Sequence, residues 1–180
     1  MRVTADALRQ IRGGHPWLFD SSITSVSHDG APGDLAVVFD GRRRFAAIGL
    51  WDPGSPVRMR ILHAGEPTPV DDDFWTARLA AAIERRRALE ESSATTAYRL
   101  VHGENDGLPG LVVDRYDRVT VMKIYSPAWF AHLAAIVPLV EAATGAASVV
   151  LRLGRNVARG PTHGCADGMV VAGELDEPVG

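Results

Sequence analysis

The sequence predicts an α+β chain. A small β-barrel-like domain over residues 1–66 leads through a connecting helix over 67–93 into a small α+β domain, strands plus one main helix, over 94–180. Three observations carry this. Short apolar runs in the first sixty residues are punctuated by Gly/Pro turns, the pattern of a small barrel. A stretch of helical spacing then follows a triple aspartate. Beyond it, strand-like runs alternate with one long apolar helix, the order of an α+β unit.

The elements follow in order. Leu35–Phe39 is an apolar run entered by the turn Ala31-Pro-Gly-Asp34 and left by Asp40-Gly41. Phe45–Trp51 makes the next strand, closed by Asp52-Pro-Gly-Ser55. In Val57–Ile61, period-two alternation turns Val57, Met59 and Ile61 to one face and Arg58 and Arg60 to the other. Asp71, Asp72 and Asp73 offer an N-cap and first-turn charge to a helix whose Trp75, Leu79, Ala82, Ile83 and Leu89 share a face. Arg85, Arg86 and Arg87 near its end read as a solvated cluster opposing the macrodipole. Tyr98–Val101, Leu111–Tyr116 and Val119–Tyr125 read as strands, the last two as a hairpin. Ser126-Pro127 opens a helix that ends near Gly145 and is kinked or restarted at Pro138. Ala147–Leu153 and Met169–Val171 are further strands.

Composition narrows the function. The chain has 180 residues, 46% hydrophobic and 23% charged, which suits a globular protein and argues against disorder. One cysteine, Cys165, closes no intrachain disulfide, so a reducing cytoplasm is the expected location. No secretory signal is visible at the Met1 end. The longest uncharged run, Ile124–Val140, falls short of the roughly 20 apolar residues of a membrane span. The net charge of −3 hides an asymmetry. Residues 1–63 carry eight basic and six acidic groups (+2); residues 64–180 carry eleven and sixteen (−5). A basic first third is what a polyanion-binding module would show. All basic side chains but Lys123 are arginine, the better bidentate phosphate ligand.

Several motifs of known chemistry are absent: no G-x-G-x-x-G, P-loop, C-x-x-C, H-E-x-x-H or G-x-S-x-G occurs. His102, Glu104 and Asp106 stand at alternate positions, and an extended backbone would put all three on one face as metal ligands. The bland alternative is a turn whose carboxylates cap backbone N–H groups. Cys165 beside His163 reads as an ordinary loop thiol. Arg12-Gly-Gly-His15-Pro-Trp17 combines a cation, an imidazole and an aromatic, able to hold phosphate and an unpaired base. Here Arg12 is assigned to phosphate and Trp17, with Leu18 and Phe19, to the core. Arg42, Arg43 and Arg44 sit at a hairpin tip. With Arg58 and Arg60 they form either a solvated cluster or a continuous basic surface.

Gly14-His-Pro-Trp-Leu-Phe19, Pro32-Gly-Asp34, Trp51-Asp-Pro-Gly-Ser55 with Arg60-Ile-Leu62, and the long block Tyr98-Arg-Leu-Val-His-Gly-Glu-Asn-Asp-Gly-Leu-Pro-Gly-Leu-Val-Val-Asp-Arg-Tyr116 occur in that order. Over about Arg12 to Leu153 the chain resembles the N-terminal part of the 23S rRNA cytosine-C5 methyltransferase family. The resemblance implies a PUA-type RNA-binding domain, then an α+β middle domain. In that family a Rossmann-like domain follows, binding S-adenosylmethionine and carrying the catalytic cysteines. Asn105 departs from the small residue common in relatives. The chain ends at Pro178-Val-Gly180, about where that catalytic domain would begin, so the expectation is that this domain is absent and the chain alone inactive. Cys165 inherits no catalytic role.

The expected function is therefore binding and positioning of RNA, specifically large-subunit rRNA, through Arg12, His15, Arg42, Arg43, Arg44, Arg58 and Arg60. No catalytic, cofactor-binding or metal-ligating residue is assigned, and S-adenosylmethionine is implied for the full-length family only. Two alternatives stay open: a metal-dependent enzyme at His102, Glu104 and Asp106, and a protein-interaction module.

Overall fold

The computed structural model describes residues 1–92 and 94–174. The last residues of the domain expected over 94–180 lie outside the described residues. The chain forms two compact units: Met1–Pro69 with Pro127–Ala131, and Val70–Ser126 with the residues from His132 onward.

In the first unit, β1 (Arg2–Val3) leads into α1 (Ala5–Arg12), then β2 (Trp17–Phe19), β3 (Ile23–Ser25), β4 (Leu35–Phe39), β5 (Phe45–Trp51) and β6 (Val57–Ala64). Helix α1 was not expected from the sequence. Thr4 caps it, its Oγ1 accepting the Ala7 N–H at 3.2 Å, and it buries only Ala7 and Ile11. Strands β2-β6-β5-β4 make an antiparallel four-stranded sheet, and β1 pairs with β3. Ala7 and Ile11 join Leu18, Val38, Ala47, Trp51, Met59 and Ile61 in one core. Each fully buried aliphatic side chain there contributes about 1.5–3 kcal/mol. At Gly49 a Cβ would run into the Arg60 carbonyl, so glycine lets β5 and β6 close at their bulge. The turn before β4 needs glycine for a second reason: Gly33 has φ +97°, and a Cβ there would lie 2.6 Å from that of Ala131.

The second unit begins with α2 (Asp72–Glu84), capped by Asp71, whose Oδ1 accepts the Phe74 N–H at 3.0 Å. Trp75, Leu79 and Ala82 are its buried stripe. The expected continuation to Leu89 does not occur. Arg86 leaves the helical region (φ −113°, ψ 12°), a separate turn α3 (Arg87–Glu90) follows, and Leu89 is exposed.

Strands β7 (Ala97–His102), β8 (Leu111–Tyr116), β9 (Val119–Ile124), β10 (Ser148–Leu153) and β11 (Met169–Gly173) form a sheet ordered β11-β10-β9-β8-β7. All its pairs are antiparallel except β9 with β10, which α4 (Leu133–Thr144) connects. The predicted helix from Pro127 divides at His132, not at Pro138. Pro127–His132 is a 3-10 turn, and α4 runs through Pro138 to a left-handed Gly145 cap. By length and composition Pro127–Thr144 could cross a membrane (mean hydropathy 1.3). A 3-10 turn over its first six residues breaks the segment, and Ala128, Trp129, Ile136, Val137 and Val140 are buried within it.

Candidate nucleic-acid interface

The β4–β5 hairpin is built on Asp40, a side chain only 5% exposed. Its Oδ1 accepts the backbone N–H groups of Arg42 (2.8 Å) and Arg44 (3.0 Å). Its Oδ2 accepts from the Arg44 guanidinium (2.8 and 3.0 Å) and from Arg12 Nη2 (3.3 Å), brought in by the C-terminal turn of α1. The Arg44 backbone N–H above all, then its guanidinium and the Arg42 N–H, hold the Asp40 carboxyl at about 2 although burial opposes this. The carboxylate thus holds Arg12, Arg42 and Arg44, and the Asp40 carbonyl accepts the Arg43 N–H, so four arginines surround one acid and leave a local excess of positive charge. Arg42, Arg43 and Arg44 are exposed, and Arg43 at the tip has φ +60°.

The hairpin stands between two clefts. One of about 410 Å³ is lined by Arg12, Asp40, Arg44, Phe45 and Gly65. The other, about 430 Å³, is lined by Met1, Arg2, Phe39 and Arg43. Arg2 was not among the residues singled out from the sequence, where a lone arginine beside the start of a chain carries no pattern.

Arg58 and Arg60 do not join this group. They alternate with the buried Met59, on the face of β6 turned from α1. Arg60, 11% exposed in its side chain, reaches Asp52 at 3.2 Å and the Val57 carbonyl at 3.3 Å. Arg58 donates to the Pro53 carbonyl and lies 3.5 Å from Asp20. Both guanidiniums brace the Asp52-Pro-Gly-Ser55 turn. The single continuous arginine surface is therefore divided into a hairpin group and a strand group.

Trp17 corrects a second expectation. It is 39% exposed and Phe19 38%, while Leu18 between them is 1% exposed and fills the core position. Alternation along β2 decides this. His15 sits beside them, its Nδ1 2.9 Å from the Trp17 carbonyl and 3.2 Å from the Trp17 N.

In the second unit His102, Glu104 and Asp106 do not share an extended face, because Gly103–Asp106 is a 3-10 turn. Asp106 is buried, and its carboxylate accepts from Arg85 (2.8 Å), Arg86 (2.8 and 3.1 Å) and the His102 N–H (2.6 Å). Burial pushes this carboxyl up, but Arg86, the His102 N–H and Arg85 outweigh it and hold it below its ordinary range. Two guanidiniums on the carboxylate repel a cation, and no group of three His, Cys, Asp or Glu among the described residues is placed to hold a metal. Arg85 and Arg86 are thus partners of a buried acid, not a solvated cluster, and they end α2. Arg87 alone keeps the expected setting, pairing with Glu84.

A nucleoside cofactor would sit at the parallel pair β9/β10, but β9 leads into Tyr125-Ser126-Pro127, with no glycine loop opening onto a helix N-terminus there. The residues do not fit that group.

Residues 1–64 match the family described as a PUA-like domain. The chain is 51% identical to a ribosomal RNA large subunit methyltransferase of Deinococcus radiodurans, over 97% of this chain and 44% of that protein. It is 34% identical over 112 residues to ribosomal RNA large subunit methyltransferase I of Salmonella arizonae, covering 62% of this chain and 28% of that one. Among solved structures, a candidate SAM-dependent methyltransferase from Streptococcus mutans superposes with a TM-score of 0.81 at 13% identity, over 98% of this chain and 44% of that one. At that identity the likeness is one of fold. The chain spans less than half the length of the curated relatives it matches.

Proposed function

We propose that this chain, a homologue of ribosomal RNA large subunit methyltransferases, is the RNA-binding and substrate-positioning portion of an S-adenosylmethionine-dependent rRNA (cytosine-C5) methyltransferase. Residues 1–66 are on this reading the PUA-like RNA-binding domain, 67–93 the connecting helix and 94–180 the middle domain. The observation that carries it is the Asp40 hairpin: within the PUA-like segment, one buried carboxylate pre-positions Arg12 and Arg44 and leaves Arg42 and Arg43 exposed. Pre-set guanidiniums bind phosphate with little loss of side-chain freedom, and phosphate contacts fix register and affinity. Arg58 and Arg60 contribute by shaping the adjoining strand face, and His15 by offering a ring beside it. Methyl transfer and the holding of S-adenosylmethionine are assigned to no residue of this chain. An rRNA substrate places the protein in the cytoplasm.

Filter binding with large-subunit rRNA fragments tests the reading. It expects retention at low salt, and loss of most of that retention in the Arg42→Ala/Arg43→Ala variant. Failure of the unaltered protein to retain RNA would contradict it.

A further inference from the structure

We infer that the exposed side of β2, Trp17 and Phe19 together with the His15 ring, is a stacking platform for unpaired bases of a single RNA strand. The inference rests on the RNA-binding reading above and adds to it the part of the ligand that phosphate contacts cannot read. Four observations lead there.

A three-residue strand buries Leu18 and turns two neighbouring large aromatics outward, so their exposed surfaces adjoin on one side of β2. The rings meet edge to face: Trp17 and Phe19 at 6.4 Å and 88°, His15 and Trp17 at 6.2 Å and 80°. His15 and Phe19 are tilted at 52°, so no two of the three rings lie face to face. The His15 ring is pinned by Trp17's own backbone, which fixes its attitude before any ligand arrives. Finally, the same unit carries the Asp40 hairpin, where four arginines surround one acid, so a strand held there through its phosphates also brings bases to stack on β2.

Binding of the whole chain to an oligoadenylate and to an abasic ribophosphate oligomer of equal length tests this. Trp17 is also the one exposed tryptophan among the four, since Trp51, Trp75 and Trp129 are buried, so its fluorescence reports the platform. Oligoadenylate is expected to quench that fluorescence and the abasic oligomer to leave it unchanged. Trp17→Leu and Phe19→Leu should each weaken oligoadenylate binding about tenfold, the cost of one stacked base. Trp17→Phe should retain most of the affinity, which separates loss of a ring from loss of fold. Equal affinity of Trp17→Leu and the unaltered chain for oligoadenylate would overturn the platform and leave RNA binding by the hairpin standing. Binding of neither oligomer would overturn both. A self-association seen in sedimentation and abolished by Trp17→Leu would assign the strip to a second copy of the chain, and would overturn the proposal too.

Discussion

Two aspartates decide much of the local structure, and both do so by gathering arginines. Asp40 in its hairpin and Asp106 beneath the end of α2 each accept from two guanidiniums, Asp40 also from two backbone N–H groups and Asp106 from that of His102. Both carboxyls are held below their ordinary range in the fold. A depressed native pKa contributes stability that is fully present above the unfolded value, near 4, and is lost as the pH falls through the native one. For Asp40 that window runs from about 4 down to about 2. Amide exchange at Arg42 and Arg44 should therefore accelerate across it, and the acceleration should be absent in Asp40→Ala, where both amides already exchange fast at neutral pH. For Asp106 the larger effect is on global stability. Asp106→Ala leaves Arg86, 17% exposed, without its acid, and should cost about 3 kcal/mol in urea unfolding at neutral pH. A loss under ~0.5 kcal/mol would show that the two arginines relax freely into solvent.

At the scale of elements, β2 separates the side chains that make the fold from those that face outward. Leu18→Ala should cost about 2–5 kcal/mol, as deletion of a buried leucine does, whereas Trp17→Ala should cost under ~1 kcal/mol. Thermal denaturation of the pair checks the ranking, and equal losses would put Trp17 back in the core. The same strand shows what a sequence can and cannot reveal. Leu35–Phe39, Phe45–Trp51 and Leu111–Tyr116 have the predicted bounds because each is an apolar run closed by turn residues. Trp17-Leu18-Phe19 is apolar throughout, so only the paired strand shows which of the three turns inward. Helix α1 escaped notice because eight residues with two buried positions carry little periodicity. The break in α2 was invisible for a different reason: Arg86 is drawn away by an acid twenty positions further along the chain. Asp40-Gly41 was legible as a turn, but the donors converging on its carboxylate come partly from α1, which the sequence reading lacked.

For the molecule as a whole, the division of charge is what links structure to function. The basic first third was visible by counting, but its disposition was not. Arg58 and Arg60 are drawn to Asp20 and Asp52, whereas Arg12, Arg42, Arg43 and Arg44 outnumber the one acid at their centre. Phosphate affinity should therefore reside in the hairpin group. The most direct test is the salt dependence of RNA binding. On a single strand each phosphate contact contributes a slope of about −0.7 in log K against log salt. Arg42→Ala/Arg43→Ala should make the slope shallower by about 1.4, and Arg58→Ala should leave it nearly unchanged. An unaltered slope in the hairpin variant, or a larger change in Arg58→Ala, would contradict the claim that the hairpin arginines hold the RNA.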